Sequence, residues 1–103
     1  MFQDYPKYCE FENDEFLKGD KIKIDEILNK EVLITGIKKE PSKVKKGETY
    51  NKIQVITEYI DDIPQYKIFF TTSQVLERQI MKYKSKLPFC AVIIKQNNYY
   101  TLT

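Results

Sequence analysis

From Glu31 onward the apolar positions fall into runs with a clear period. Glu31 to Lys39 (E-V-L-I-T-G-I-K-K) is a β-branched stretch, and Lys52 to Ile60 sets Ile53, Val55, Thr57 and Tyr59 against Gln54, Ile56 and Glu58. Both read as strands. Between them, Glu40 to Asn51 carries Pro41, Ser42, Gly47 and three lysines, which marks a loop. Asp61-Asp62-Ile63-Pro64 predicts a turn into a third strand, Gln65 to Thr71, with Tyr66, Ile68 and Phe70 on one side. The second and third strands should form a hairpin. On this parity Ile68 and Phe70 are expected inward, and Lys67 and Phe69 outward.

The period then changes. Leu76, Ile80, Tyr83 and Leu87 recur at steps of four, three and four, which predicts an amphipathic helix over 73–84, capped by Thr72 or Ser73 and closed by Lys84, Lys86 and Pro88. Phe89 to Lys95 is nearly continuous apolar, as in a strand buried on both faces, and Asn97-Asn98 predicts a tight turn into Tyr99 to Thr103. The stretch from Lys21 to Leu28 fits either a short strand or a turn or two of helix. Residues 1–18 have Phe2, Tyr5, Tyr8, Phe11 and Phe16 among acids with no steady period, and form an acidic, aromatic arm ahead of a domain spanning 19–103. The order after residue 30, β-β-β-α-β-β, is that of a mainly β, OB-like five-stranded barrel with one helix between strands three and four.

Composition supports this reading. Ile and Val total 18 against a single Ala, Ala91, a balance that suits pleated surfaces better than helix packing. At 103 residues the chain has room for one core. It contains no His, and its two cysteines, Cys9 and Cys90, stand far apart. The usual general base, the common zinc sites and His-activated nucleophiles are therefore not available. Both cysteines read as small buried hydrophobes, and the lack of a leader-like or membrane-spanning apolar run suggests a cytoplasmic protein with reduced thiols. Asp61-Asp62 and Asp25-Glu26 are adjacent carboxylates, but neighbours in sequence point apart on a strand and mark a solvated turn or a helix start. A non-enzymatic role without cofactor or metal is expected.

Charge adds a direction. Residues 1–31 carry net −4 and residues 32–103 net +6. Lys38, Lys39, Lys43, Lys45, Lys46 and Lys52 cluster around the first loop, where lysines would neutralise phosphates and release counterions. Aromatic rings lie nearby in sequence: Tyr50 ends the loop, Phe69 is next but one to Lys67, and Tyr99 and Tyr100 open the last strand. Rings for stacking beside cations for phosphates are what single strands need. The candidate nucleic-acid-binding residues are Lys39, Lys43, Lys45, Lys46, Tyr50, Lys52, Gln54, Lys67, Phe69 and one of Tyr99 or Tyr100, with Gln54 offering an adaptable hydrogen bond.

Residues 19–43 (G-D-K-I-K-I-D-E-I-L-N-K-E-V-L-I-T-G-I-K-K-E-P-S-K), 69–80 (F-F-T-T-S-Q-V-L-E-R-Q-I), 87–89 (L-P-F) and the terminal Y-Y-T-L-T resemble small phage- and prophage-type single-stranded DNA-binding proteins of low-GC Gram-positive bacteria. Thr72 stands where that family carries a Gly. The resemblance implies an OB fold, a role in replication or recombination of phage or mobile elements, and no cofactor. The expected partner is single-stranded DNA, with room for replication or recombination proteins and for self-association, and no membrane contact. The alternative is an OB-like adaptor whose acidic arm and sheet bind another protein; a binding constant that falls steeply with salt would separate the two.

Overall fold

In the computed structural model, which describes residues 17–44 and 46–103, the chain runs through β1 (Asp20–Lys21), a 3₁₀ turn (Ile24–Ile27), β2 (Glu31–Pro41), β3 (Thr49–Ile60), β4 (Ile63–Thr71), α1 (Gln74–Lys82), a second 3₁₀ turn (Lys84–Lys86), β5 (Phe89–Gln96) and β6 (Tyr99–Leu102). The fold is mainly β with one α-helix among the described residues, as the sequence pattern predicts. The strands form one sheet in the order β1-β4-β3-β2-β5-β6. Two successive hairpins join β2, β3 and β4, and the chain then returns past α1 to lay β5 against β2, a Greek key. The ladder is not closed into a barrel: β6 pairs with β5, and among the described residues the outer edge of β4 takes only the two-residue parallel β1.

The local signals explain the turns. Asp61 and Asp62 (φ 50° and 64°) and Asn97 and Asn98 (φ 47° and 77°) occupy the left-handed region at two-residue hairpin turns, where Asn and Asp are tolerated best among residues with side chains. The cap of α1 is Ser73, whose side chain accepts from the Leu76 N–H at 3.2 Å. The helix stops at Lys82, two residues before the expected end, because Tyr83 (φ −112°, ψ 24°) leaves helical geometry and the chain tightens into the 3₁₀ turn. Of the two forms open to Lys21–Leu28, the helical one is met by a single 3₁₀ turn at Ile24–Ile27, whereas the strand falls earlier, at Asp20–Lys21, and does not include Ile22 or Ile24.

Ile27, Val32, Ile34, Ile53, Val55, Phe69, Leu76, Ile80, Ala91 and Ile93 form the core. Leu76 and Ile80, one helical turn apart, press α1 onto the sheet. A polar contact secures the helix to the sheet's last strand: Gln79 of α1 accepts from the Leu102 N–H and donates to Thr101 Oγ1, both at 2.9 Å, so a helix side chain takes the place of a neighbouring strand.

Three expectations about facing are corrected. Phe69 lies opposite Ile53 and is 1% exposed, while Phe70 is 36% exposed, so β4 faces the other way from the predicted parity. The partner strand decides this: Ile53 and Val55 of β3 are fully buried, and their partners on β4 are Phe69 and Lys67. Second, β5 is fully buried only at Ala91 and Ile93, not on both faces. Third, Cys90 is exposed, not a buried hydrophobe; Cys9 falls outside the described residues.

The first described residues cross the sheet. Leu17 packs on β2 at Gly36, where a Cβ would come within 2.7 Å of its Cδ2, and the Lys18 carbonyl accepts from Gln54 Nε2 of β3 at 2.8 Å. Gly19 (φ 145°) passes so close to β4 that a Cβ would meet the Tyr66 backbone at 2.7 Å, a position only glycine fills without strain. Asp20 and Lys21 then pair with Lys67 and Ile68.

Candidate nucleic-acid interface

The face of β2–β4 turned away from the core carries the candidate site. Directly opposite residues in antiparallel strands share a face, so the registers Lys38↔Lys52 and Lys52↔Phe70 set two lysines and a ring in one row across three strands. The adjoining row, toward the loop, pairs Glu40 with Tyr50. Tyr50 reaches diagonally to Phe70, and the rings meet edge to face with centroids 5.3 Å apart and planes at 78°. Lys21 Nζ lies 5.1 Å from the Phe70 ring centroid, within cation–π range. Two rings, one of them exposed, and three lysines thus converge at the base of the β2–β3 loop.

Tyr50 is held by its hydroxyl, which donates to Glu40 Oε2 at 2.9 Å. That hydrogen bond, then burial and the negative charge of Glu40, raise the phenol above its ordinary pKa. The ring stays neutral at physiological pH, as a stacking surface for bases needs to be. The loop beyond it is shaped by the Ser42 N–H donating to the Glu48 carbonyl at 2.8 Å, with Lys43 and Lys46 exposed. Lys45 lies outside the described residues.

The remaining sequence candidates go elsewhere. Lys39 has the opposite parity and pairs with Glu77 of α1 at 3.1 Å. The hydrogen bond from Lys39, assisted by Asn51, outweighs desolvation and lowers the Glu77 pKa. Lys67 bonds Asp20 Oδ2 at 3.1 Å on the side of the sheet where Phe69 is buried, so the pair Lys67–Phe69 is not a binding surface. Gln54 is on the right face but its amide is engaged, Nε2 by the Lys18 carbonyl and Oε1 by Thr35 Oγ1 at 2.7 Å; it fixes the crossing segment rather than offering an adaptable bond. Of the last two tyrosines, Tyr99 is 43% exposed beside a hollow that also touches Thr71 to Val75, and it makes no ring contact with the Tyr50–Phe70 pair among the described residues. Tyr100 packs against the core and donates to Asp25 Oδ1 at 2.9 Å, which raises its pKa.

The structure therefore brings together Tyr50 and Lys52 and adds Phe70, Lys21 and Lys38, which are not among the residues singled out from sequence as binding candidates. The Phe69-Phe70 pair is the available signal, since one of the two must face outward. Among the described residues no group of three His, Cys, Asp or Glu side chains could hold a metal ion, and no helix is long and apolar enough to cross a membrane.

Fold and face together define a small Greek-key β domain with a cationic, aromatic sheet surface. A family model described as a domain of unknown function, DUF8468, matches residues 18–103, and the chain belongs to that family. No curated protein and no solved structure matches the chain.

Proposed function

We propose that this protein is a non-enzymatic single-stranded DNA-binding module with an OB-like architecture, serving replication or recombination of a phage or mobile element. The observation that carries the reading is the Tyr50–Phe70 pair, with Lys21 over Phe70 and with Lys38 and Lys52 in the same row, at the foot of a lysine-rich loop. Rings of this kind accept a base of any sequence, and lysines beside them follow the phosphate backbone. Leaving aside the two-residue β1, the strand order and the helix between the third and fourth long strands suit an OB barrel open along one seam, a fold whose corresponding sheet face and first loop bind oligonucleotides. The resemblance of residues 19–43 and 69–80 to phage-type single-stranded DNA-binding proteins supports the same reading and supplies the biological setting.

A second reading, the protein-binding adaptor, draws on the β3–β4 hairpin tip, where Tyr59, Ile60 and Ile63 are 60%, 51% and 61% exposed. Contiguous exposed apolar side chains suit a protein partner better than a nucleic acid. Titrating a fluorescent oligothymidylate at two salt concentrations separates the readings. Module binding weakens steeply as salt rises, by counterion release. An absent or salt-independent signal leaves the adaptor.

A further inference from the structure

Glu40 is out of keeping with its surroundings. It follows Lys38 and Lys39, precedes Lys43, and shares with Lys38 the face of β2 turned away from the core, yet it carries the charge that repels a phosphate. On a face that did nothing but follow a nucleic-acid backbone, a carboxylate here would only weaken binding. The structure nevertheless fixes it in place. Glu40 is the direct cross-strand partner of Tyr50, both are half-buried, and the hydrogen bond from Ser42 to the Glu48 carbonyl closes the loop just beyond them. The Tyr50 hydroxyl donates to Oε2 at 2.9 Å, one of two oxygens that each have two lone pairs, so the carboxylate keeps capacity to accept. A phenolic O–H lies in the plane of its ring. The carboxylate therefore stands at the rim of the Tyr50 ring, where the edge of a base stacked on that ring falls.

We propose, resting on the single-strand-binding role of this face, that Glu40 reads the base stacked on Tyr50 and selects guanine. In a single strand the Watson–Crick edge of each base is open to side chains. On that edge guanine presents two adjacent donors, N1–H and N2–H, which match a group that only accepts. Cytosine and adenine each present one amino group beside a ring nitrogen that itself accepts. Thymine presents a single N–H between two carbonyls, both of which a carboxylate repels. The order of preference is guanine first, cytosine and adenine next, and thymine last.

The test measures the affinity of the full chain for fluorescent oligonucleotides of about twelve nucleotides, one all thymine and the others with guanine or inosine at every third position. Equal length holds the phosphate contribution constant, so the ratio of affinities reports the bases. Guanine-bearing DNA is expected to bind about tenfold more tightly than oligothymidylate. Inosine, which keeps the stacking surface of a purine but lacks the 2-amino group, should lose about half of that gain on a logarithmic scale. Glu40→Gln should bring the ratio of guanine to thymine down to about twofold, because an amide pairs with the N–H and neighbouring carbonyl that the two bases share. Equal affinity for guanine and thymine DNA, equal affinity for guanine and inosine DNA, or a ratio that survives Glu40→Gln each overturns the proposal while leaving salt-dependent single-strand binding in place. Absence of binding to every oligonucleotide overturns the single-strand reading as well.

Discussion

Phe69 and Phe70 are chain neighbours with opposite fates: the first is 1% exposed against Ile53, and the second is 36% exposed with Tyr50 edge-on to its ring. Replacing each by Ala should therefore separate stability from binding. Phe70→Ala is expected to weaken oligonucleotide binding by ~1–3 kcal/mol at both low and high salt, with little change in Tm. Phe69→Ala should instead destabilise the fold by ~3–5 kcal/mol. Equal losses of stability in the two variants would contradict the assigned face.

Under the proposed function the loop lysines act by charge alone. Changing Lys43, Lys45 and Lys46 together to Ala should reduce the slope of log K against log salt by ~0.7 for each phosphate that is no longer neutralised. Binding isotherms at four salt concentrations give the slope, and an unaltered value removes the loop from the interface.

Glu77 carries a pH-dependent part of the stability. Its pKa is lowered in the folded protein, chiefly by the hydrogen bond from Lys39. The folded state thus binds that proton less tightly than the unfolded chain, whose Glu titrates near the ordinary value of about 4.3. The contribution is present above that value and is lost as pH falls through the lower folded pKa. Tm measured from pH 6 to pH 3 should drop less steeply for Glu77→Gln than for the wild type; parallel curves would mean that the ion pair does not couple to folding.

Gln79 satisfies a backbone N–H that no described strand reaches. Gln79→Ala should cost about 1–3 kcal/mol by leaving the part-buried Leu102 N–H unpaired. Gln79→Glu should lose much less, because a carboxylate still accepts from Leu102 and the Thr101 hydroxyl can turn to donate. Chemical denaturation of the two variants measures the difference, and similar losses in both would assign the effect to packing rather than to this hydrogen bond.

Much of the fold was legible because its signals are local. Asn97-Asn98 and Asp61-Asp62 favour left-handed backbone wherever they occur, Ser73 caps its own helix, and Leu76 and Ile80 mark the buried stripe. The site was legible where a strand has one apolar side, as in β3, where Ile53 and Val55 leave Gln54 and Lys52 facing away from the core. On β4 both sides are apolar, with Ile68 only 9% exposed on the face opposite Phe69. Period two divides such a strand into two sides without naming the inner one, and only the pairing with β3 selects it. The crossing at Leu17 to Lys21 had no local signature either. It rests on long-range contacts, such as those with the Gln54 amide and the Tyr66 backbone, and is followed by the Ile22 N–H donating to the Ile68 carbonyl at 2.9 Å.

Gln79 has a consequence for assembly. An unpaired strand edge is a template on which a second copy can continue the sheet. With the Gln79 amide engaging the Leu102 N–H and the Thr101 hydroxyl, α1 occupies part of the outer edge of β6 and stands in the way of a strand adding there. At the other end stands β1, two residues long and followed closely by a 3₁₀ turn, too short to carry a stable ladder.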